Sequence, residues 1–327
     1  MAIWLDFPVP STTPSRETFA FGLVVLGVVA FSVNAGVSRV VLDSGVSPAG
    51  LSGIRSVGSA LLLAAVVLLF RRGHWRIPRR DWGVLAVYGI VGLSLMPLLY
   101  FEAISRIPIG LALLLEYLAP LWVALWARFV RRQTVNRLLW PALALTIMGL
   151  GIVAGAGLEG LDPVGILAGL ACSVAFAVYF ILGERMVERS DPIVITFWGF
   201  GISSAIWAAV GLSGATTAFW QVSATNPVPL PEVLGGAAVP LSLLLLWVVA
   251  LGTVVPFGAE TAAMKFIPAT TVSVLSTAEP IGSALVAWWL FGEVLSAGQV
   301  VGGLVVIAGI VLALLSRPGQ RLPAAIE

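Results

Sequence analysis

In the stretch STAEPIGSALVAWWLFGEV, residues 276–294, one acid, Glu279, sits directly before Pro280 with apolar residues on either side. Glu116 stands four residues before Pro120 in a second apolar run, and Arg55 lies inside a third. Ionisable side chains in apolar segments of membrane length are costly, and they face a bundle interior or a water-filled cavity. The chemistry open to them is binding and proton exchange. Arg55 carries a planar fork suited to a carboxylate or phosphate. It can hold the acid group of a small ligand, or it can form an ion pair with Glu116 or Glu279 that lets helices pack. Burial raises a carboxyl pKa and a nearby arginine lowers it. A glutamate between those influences can bind and release a proton near neutral pH. Glu116 and Glu279 are therefore candidates both for lining a cavity and for exchanging protons.

The two prolines add backbone chemistry. Proline cannot donate to the carbonyl four residues back. The carbonyls released belong to Ser276 and to Glu116 itself, so each proline puts a free acceptor beside a hydroxyl or carboxyl side chain. Discontinuous helices build midplane sites in this way; the alternative is a plain kink, since proline is common in membrane helices. Asn34, Tyr100, Tyr179 and Trp198 can share the cavity, because aromatic walls around a few polar groups suit a small organic ligand. Each of them alone reads equally as packing or as an interface belt. Glu260 is a further acid, nearer the end of its run. Glu293, after Gly292, reads as a cap for the last helix or a residue at a cavity mouth.

The elements that must position these residues are membrane helices. The chain has 327 residues, 59% apolar and 10% charged, with a mean hydropathy of +1.03. A soluble domain carries about 25% charge. Ten apolar runs, each near the roughly 20 residues that cross a bilayer, occupy about 18–41, 46–69, 82–104, 107–127, 137–156, 163–183, 192–213, 240–263, 268–290 and 297–316. They are continuously apolar rather than alternating, which implies an all-α integral membrane protein and not a barrel. The start, MAIWLDFPVPSTTPSRE, lacks the pattern of a cleavable signal peptide. The single cysteine, Cys172, forms no intramolecular disulfide. A net charge of +2, sorted by loop, gives no reason to expect nucleic acid. With the N-terminus in the cytoplasm, the arginine clusters at 71–80 and 128–137, with Arg185, Arg189, Lys265, Arg317 and Arg321, fall on the cytoplasmic side. Only Arg39 and Arg106 fall outside. The positive-inside rule therefore puts both termini, tails 1–17 and 317–327, in the cytoplasm. The longest outer loop, roughly 214–239, is rich in proline, with Trp220 placed at headgroup level.

The chain also repeats itself. A shift of 160 positions lays Pro280 on Pro120, Ala263 on Ala103, Ile267 on Ile107, Pro268 on Pro108, Ala284 on Ala124 and Gly309 on Gly149. Nearer the start of each half the frame slips to 144 or 145, where Pro192 matches Pro48 and Phe176 matches Phe31. Asn34 and Tyr179 then roughly correspond. The units are 18–156 and 163–316, five helices each. An odd number of helices makes the second copy enter the membrane upside down. Inverted repeats underlie alternating access in secondary transporters, with the ligand near the midplane between the halves.

The closing run AEPIGSALVAWWLFGEVLSAGQVVGGLVVIAGIVLAL, with its acid–proline pair, Gly292-Glu293 and a glycine-rich last helix, resembles the EamA family of the drug/metabolite transporter superfamily. LLLEYLAPLWVALWARFVRRQ in the first half is similar to the fourth helix of its bacterial metabolite exporters. The resemblance implies a ten-helix bundle around a central cavity and efflux of small metabolites across the inner membrane. The first half departs from the pattern, with Arg132 and Gln133 where the second has Gly292 and Glu293. The resulting expectation is an exporter of amino acids or related small metabolites. Its partners are a small-molecule substrate and the lipid bilayer, with protons as a coupling ion and no need of an oligomer. Drugs or other metabolites are the alternative cargo. An intramembrane enzyme is the rival class. It is disfavoured because the one histidine, His74, lies in a basic loop, no aspartate falls in a run, and no lysine-bearing phosphate loop appears. No cofactor or metal is implied. A channel would need repeated polar rings or a filter loop.

Overall fold

The computed structural model describes residues 14–70, 75–130, 138–155, 161–213, 226–267, 272, 275–276 and 278–315. The expectations placed on Arg71, Arg72, His74, Arg131, Arg132, Gln133, Arg137, Trp220, Pro268, Arg317 and Arg321 lie outside these residues. Helices dominate. They are α1 (Pro14–Asp43), α2 (Pro48–Phe70), α3 (Trp82–Val87), α4 (Met96–Ile104), α5 (Ile109–Glu116), α6 (Ala119–Phe129), α7 (Leu139–Gly155), α8 (Pro163–Val187), α9 (Pro192–Leu212), α10 (Leu241–Val249), α11 (Val255–Ala263), α12 (Glu279–Phe291) and α13 (Ala297–Leu315). Four of them open on proline, whose fixed φ suits a first turn that needs no N–H. Polar side chains cap three of these starts. Ser47 accepts from the Gly50 N–H at 3.0 Å ahead of α2, Asp162 from Val164 at 2.8 Å ahead of α8, and Asp191 from Ile193 at 2.9 Å ahead of α9.

Six of the described helical segments are long and apolar enough to cross a membrane. The sequence suggested ten. The fourth run is divided between α5 and α6 at Tyr117 and Leu118, the fifth and tenth are the shorter α7 and α13, and the ninth is interrupted at Ala278 before α12 starts at Glu279. Large apolar side chains such as Leu61, Ile147, Leu167 and Trp288 stand on the outside of the bundle. An apolar exterior of this kind suits lipid and would aggregate in water. The loop ahead of α10 contains a feature that its prolines concealed. β1 (Pro227–Pro229) pairs antiparallel with β2 (Ala238–Pro240), and Gly235 and Gly236 turn the chain at φ +82° and +62°.

The helices pack as two interlocked halves. α1 lies against α11 and α12, and α8 lies against α4, α5 and α6. α2 packs on α9 and α7 on α13. Where a helix of one half meets a helix of the other, their counterparts meet too, as a two-fold relation requires. The α7–α13 contact shows it at atomic scale. A Cβ on Gly149 would come within 2.7 Å of the Gly302 carbonyl and the Val306 amide; one on Gly309 would come within 2.9 Å of the Ala142 carbonyl and 2.8 Å of the Thr146 amide. The 160-residue shift exchanges these two sets. Small residues let the backbones approach where lipid supplies no hydrophobic drive between helices.

Candidate functional site

Two irregular stretches in each half place the polar side chains. The first is a change of helical pitch. Tyr88–Leu95 and Ala250–Val254 are π-helical, and Pro97 and Pro256 each stand second in the helix that follows. A π turn inserts a residue and re-aims what comes after it. Tyr100 in α4 and Glu260 in α11, which correspond at 160 residues, are turned inward one turn past each proline. The glycine within each π turn seats a side chain from the other half. A Cβ on Gly252 would fall 1.9 Å from Asn34 Oδ1, and one on Gly92 would fall 3.1 Å from the Tyr179 Cβ.

The second stretch is a break. Leu118 N–H bonds to the Leu115 carbonyl at 3.1 Å, and Ala278 N–H bonds to the Leu275 carbonyl at 3.1 Å. These are the same three-residue turn in the two halves, each followed by a proline that restarts the helix. The break at Tyr117 brings its hydroxyl to Glu279 at the start of α12, donating to Oε2 at 2.5 Å.

These elements enclose a cavity of about 40 Å³ lined by Phe31, Asn34, Arg55, Met96, Pro97, Tyr100, Phe101, Glu116, Phe176, Gly252, Phe257, Glu260 and Glu279. That space holds roughly three waters. Asn34, Arg55, Tyr100, Glu116 and Glu279 are brought together here. Arg55 is buried. Its Nε donates to Thr253 Oγ1 at 2.8 Å, and its guanidinium lies 5.0 Å from the Phe257 ring, 5.8 Å from Phe101 and 6.0 Å from Phe200. Among the described residues, no ion pair within 4.0 Å involves Arg55. A lone arginine at this depth costs ~2.5 kcal/mol or more. Desolvated cation–π contacts supply on the order of 2 kcal/mol each, so rings and hydroxyl can hold the charge without a carboxylate partner. Glu260 accepts from Ser276 Oγ at 2.7 Å. The backbone carbonyl of Glu279 accepts from Ser32 Oγ at 3.4 Å. Asn34 Oδ1 is buried with no hydrogen-bond partner among the described residues.

The other sequence candidates lie outside the lining. Ser276 stands one step behind it through Glu260. Tyr179 lies in the aromatic layer, stacked on Tyr88 at 5.2 Å and against Phe257 at 5.5 Å. Trp198 is not brought to the cavity: it stacks on Trp75 at 6.0 Å, packs edge-on to Trp82 at 5.1 Å and donates to the Trp75 carbonyl at 2.8 Å. Sequence reasoning missed Glu260 as a lining residue, together with Thr253 and Tyr117, which hold Arg55 and Glu279. The repeat carried the signal for Glu260, since it lays that residue on Tyr100.

The end of the bundle that carries Arg39 and Arg106 is tied by polar contacts. Arg39 Nη1 donates to the Ile104 carbonyl and lies 4.0 Å from Glu293 Oε1. Glu293 Oε2 accepts from the Ile109 N–H at 3.1 Å. Glu293 therefore caps α5 in the other half and not the last helix. Ser296 and Gln299 cap α13 reciprocally, at 2.9 and 3.2 Å. Arg106 donates to Asp162 at 2.8 Å and to Glu102 at 2.6 Å. The Arg106 guanidinium holds the Asp162 carboxyl below the usual carboxylate range.

Residues 18–155 and 163–315 both match the EamA-like transporter family. The threonine/homoserine exporter RhtA of Escherichia coli K12 is 27% identical over 275 residues, 84% of each chain. The same-named exporter of Salmonella typhimurium SL1344 is 26% identical over 88% of each chain. A transporter of Archaeoglobus fulgidus is 28% identical over 65% of this chain and 70% of its own. A known crystal structure, 20% identical, superposes with a TM-score of 0.59 over 93% of this chain and 98% of its own.

Proposed function

The chain belongs to the EamA-like transporter family, and from that premise we propose that it exports amino acids or related small metabolites across the bacterial inner membrane by alternating access. The observation that carries the proposal is the cavity between the halves, whose lining includes one guanidinium, Arg55, and three carboxyl side chains, Glu116, Glu260 and Glu279. A zwitterion has the complementary charges: Arg55 takes its carboxylate and a glutamate takes its ammonium. The exchange of contacts between the halves supports ten spans in two inverted units, 18–156 and 163–316, and the distribution of arginines supports both termini in the cytoplasm. A complete pair of units encloses the cavity in one chain, so no oligomer is needed. Protonation of Glu116 or Glu279 would couple the cycle to a proton gradient. The aromatic walls, Phe31, Phe101, Phe176 and Phe257, also favour a second reading, in which the cargo is a drug or another organic metabolite.

Counterflow of labelled L-threonine into proteoliposomes tests the binding mode. Arg55→Lys keeps the charge and loses the fork. It should raise KM for carboxylate substrates about tenfold, the loss of one charged hydrogen bond, and leave carboxylate-free analogues unaffected. Equal losses of stability and of all transport would instead mark Arg55 as a packing residue.

A further inference from the structure

Thr253 is fully buried in the π-helical turn Ala250–Val254. Its hydroxyl has one proton and two lone pairs. The proton goes to the Val248 carbonyl, five residues back, at 2.7 Å. A lone pair accepts the Arg55 Nε–H at 2.8 Å. The order cannot reverse, because a guanidinium only donates. The rings of Phe257, Phe101 and Phe200 stand around the same guanidinium. With Nε committed, the edge between Nη1 and Nη2 is the one left for a bidentate partner. The pair has no counterpart under the repeat. The 160-residue frame puts Leu93 in the place of Thr253, and the earlier frame puts Gly199 or Phe200 in the place of Arg55. The cavity has a single cationic pole, built from one helix of each half.

We infer that Thr253 is a positioning residue. Anchored on the Val248 carbonyl, it turns the Arg55 guanidinium so that its two terminal nitrogens take a ligand carboxylate end-on, in one orientation. The inference rests on the reading of Arg55 as the site for the ligand's acid group. It assigns the π turn a role, which is to set the direction of a charge on the neighbouring α2.

The test uses the full chain in nanodiscs with isotope-labelled arginine. The Nε–H resonance of Arg55, identified by its loss in Arg55→Lys, should exchange with solvent at least about tenfold more slowly than those of exposed arginines. Thr253→Val should abolish that protection and Thr253→Ser should keep it. In parallel, uptake of labelled L-threonine should show KM raised about tenfold by Thr253→Val, with kcat little changed and Thr253→Ser near wild type. Undiminished protection in Thr253→Val would overturn the inference, as would a fall in kcat with KM unaltered. Wild-type protein that carries no L-threonine would count against the amino-acid reading, and the exchange rates alone would then decide the role of Thr253.

Discussion

At the scale of single residues, the account turns on charges held without ion pairs. Glu279 is fixed by the Tyr117 hydroxyl at 2.5 Å. A glutamine in its place still offers that hydroxyl an oxygen but cannot ionise. Glu279→Gln should therefore fold normally, with transport lost or made insensitive to pH; wild-type rates with a wild-type pH profile in proteoliposomes would remove Glu279 from coupling. The charged candidates were legible in the sequence because ionisable residues in apolar runs are rare and expensive. Arg55, Glu116 and Glu279 do face one cavity. Glu260 was visible as an acid yet placed near the end of its run, because run boundaries say little about depth once a helix is interrupted. Trp198 was less legible. An amphipathic indole suits a cavity wall and a membrane interface equally, and only its neighbours Trp75 and Trp82 distinguish the two. Thr253 carried no sequence signal, since a threonine in an apolar helix ordinarily bonds to its own backbone.

At the scale of elements, the breaks do the positioning. Pro120 interrupts the path from α5 to α6 and leaves Tyr117 in reach of the other half. Pro120→Ala restores an N–H to the Glu116 carbonyl and lets the helix run on. Thermal stability should be little changed, since a proline in the first turn of a helix costs little, while uptake should fall. Loss of both together would make the proline a packing residue. The Asp162 cap gives a pH prediction. Its carboxyl pKa is lowered by the hydrogen bond to Arg106, so the stability it adds is present above the unfolded value, about 3.9, and is lost as pH falls through the folded one. Asp162→Asn keeps a capping oxygen and removes the charge. The variant should melt slightly below wild type at neutral pH in detergent, and the gap should close as the pH falls below the usual carboxylate range; a constant gap would refute the linkage. Proline starts and acidic caps were legible in the sequence. The π turns were not, because a five-residue hydrogen bond demands no particular side chain. They follow from the packing of Asn34 on Gly252 and Tyr179 on Gly92.

At the scale of the whole molecule, the repeat was readable from a few prolines and glycines, because those residues fix backbone breaks and close approaches that survive when apolar residues are exchanged freely. The matched turns at Leu118 and Ala278, and the exchanged glycine contacts of α7 and α13, are its physical content. The number of crossings was less legible, since an interrupted helix and a continuous one have the same composition. Two halves related in this way favour two states of similar energy. The central claim is thus carriage by alternating access. The most direct measurement is uptake of a panel of labelled amino acids into proteoliposomes holding the purified protein, with and without an imposed pH gradient. The account predicts saturable, exchangeable uptake of one substrate class, accelerated by the gradient. Flux that rises in proportion to concentration, with no counter-exchange, would contradict it.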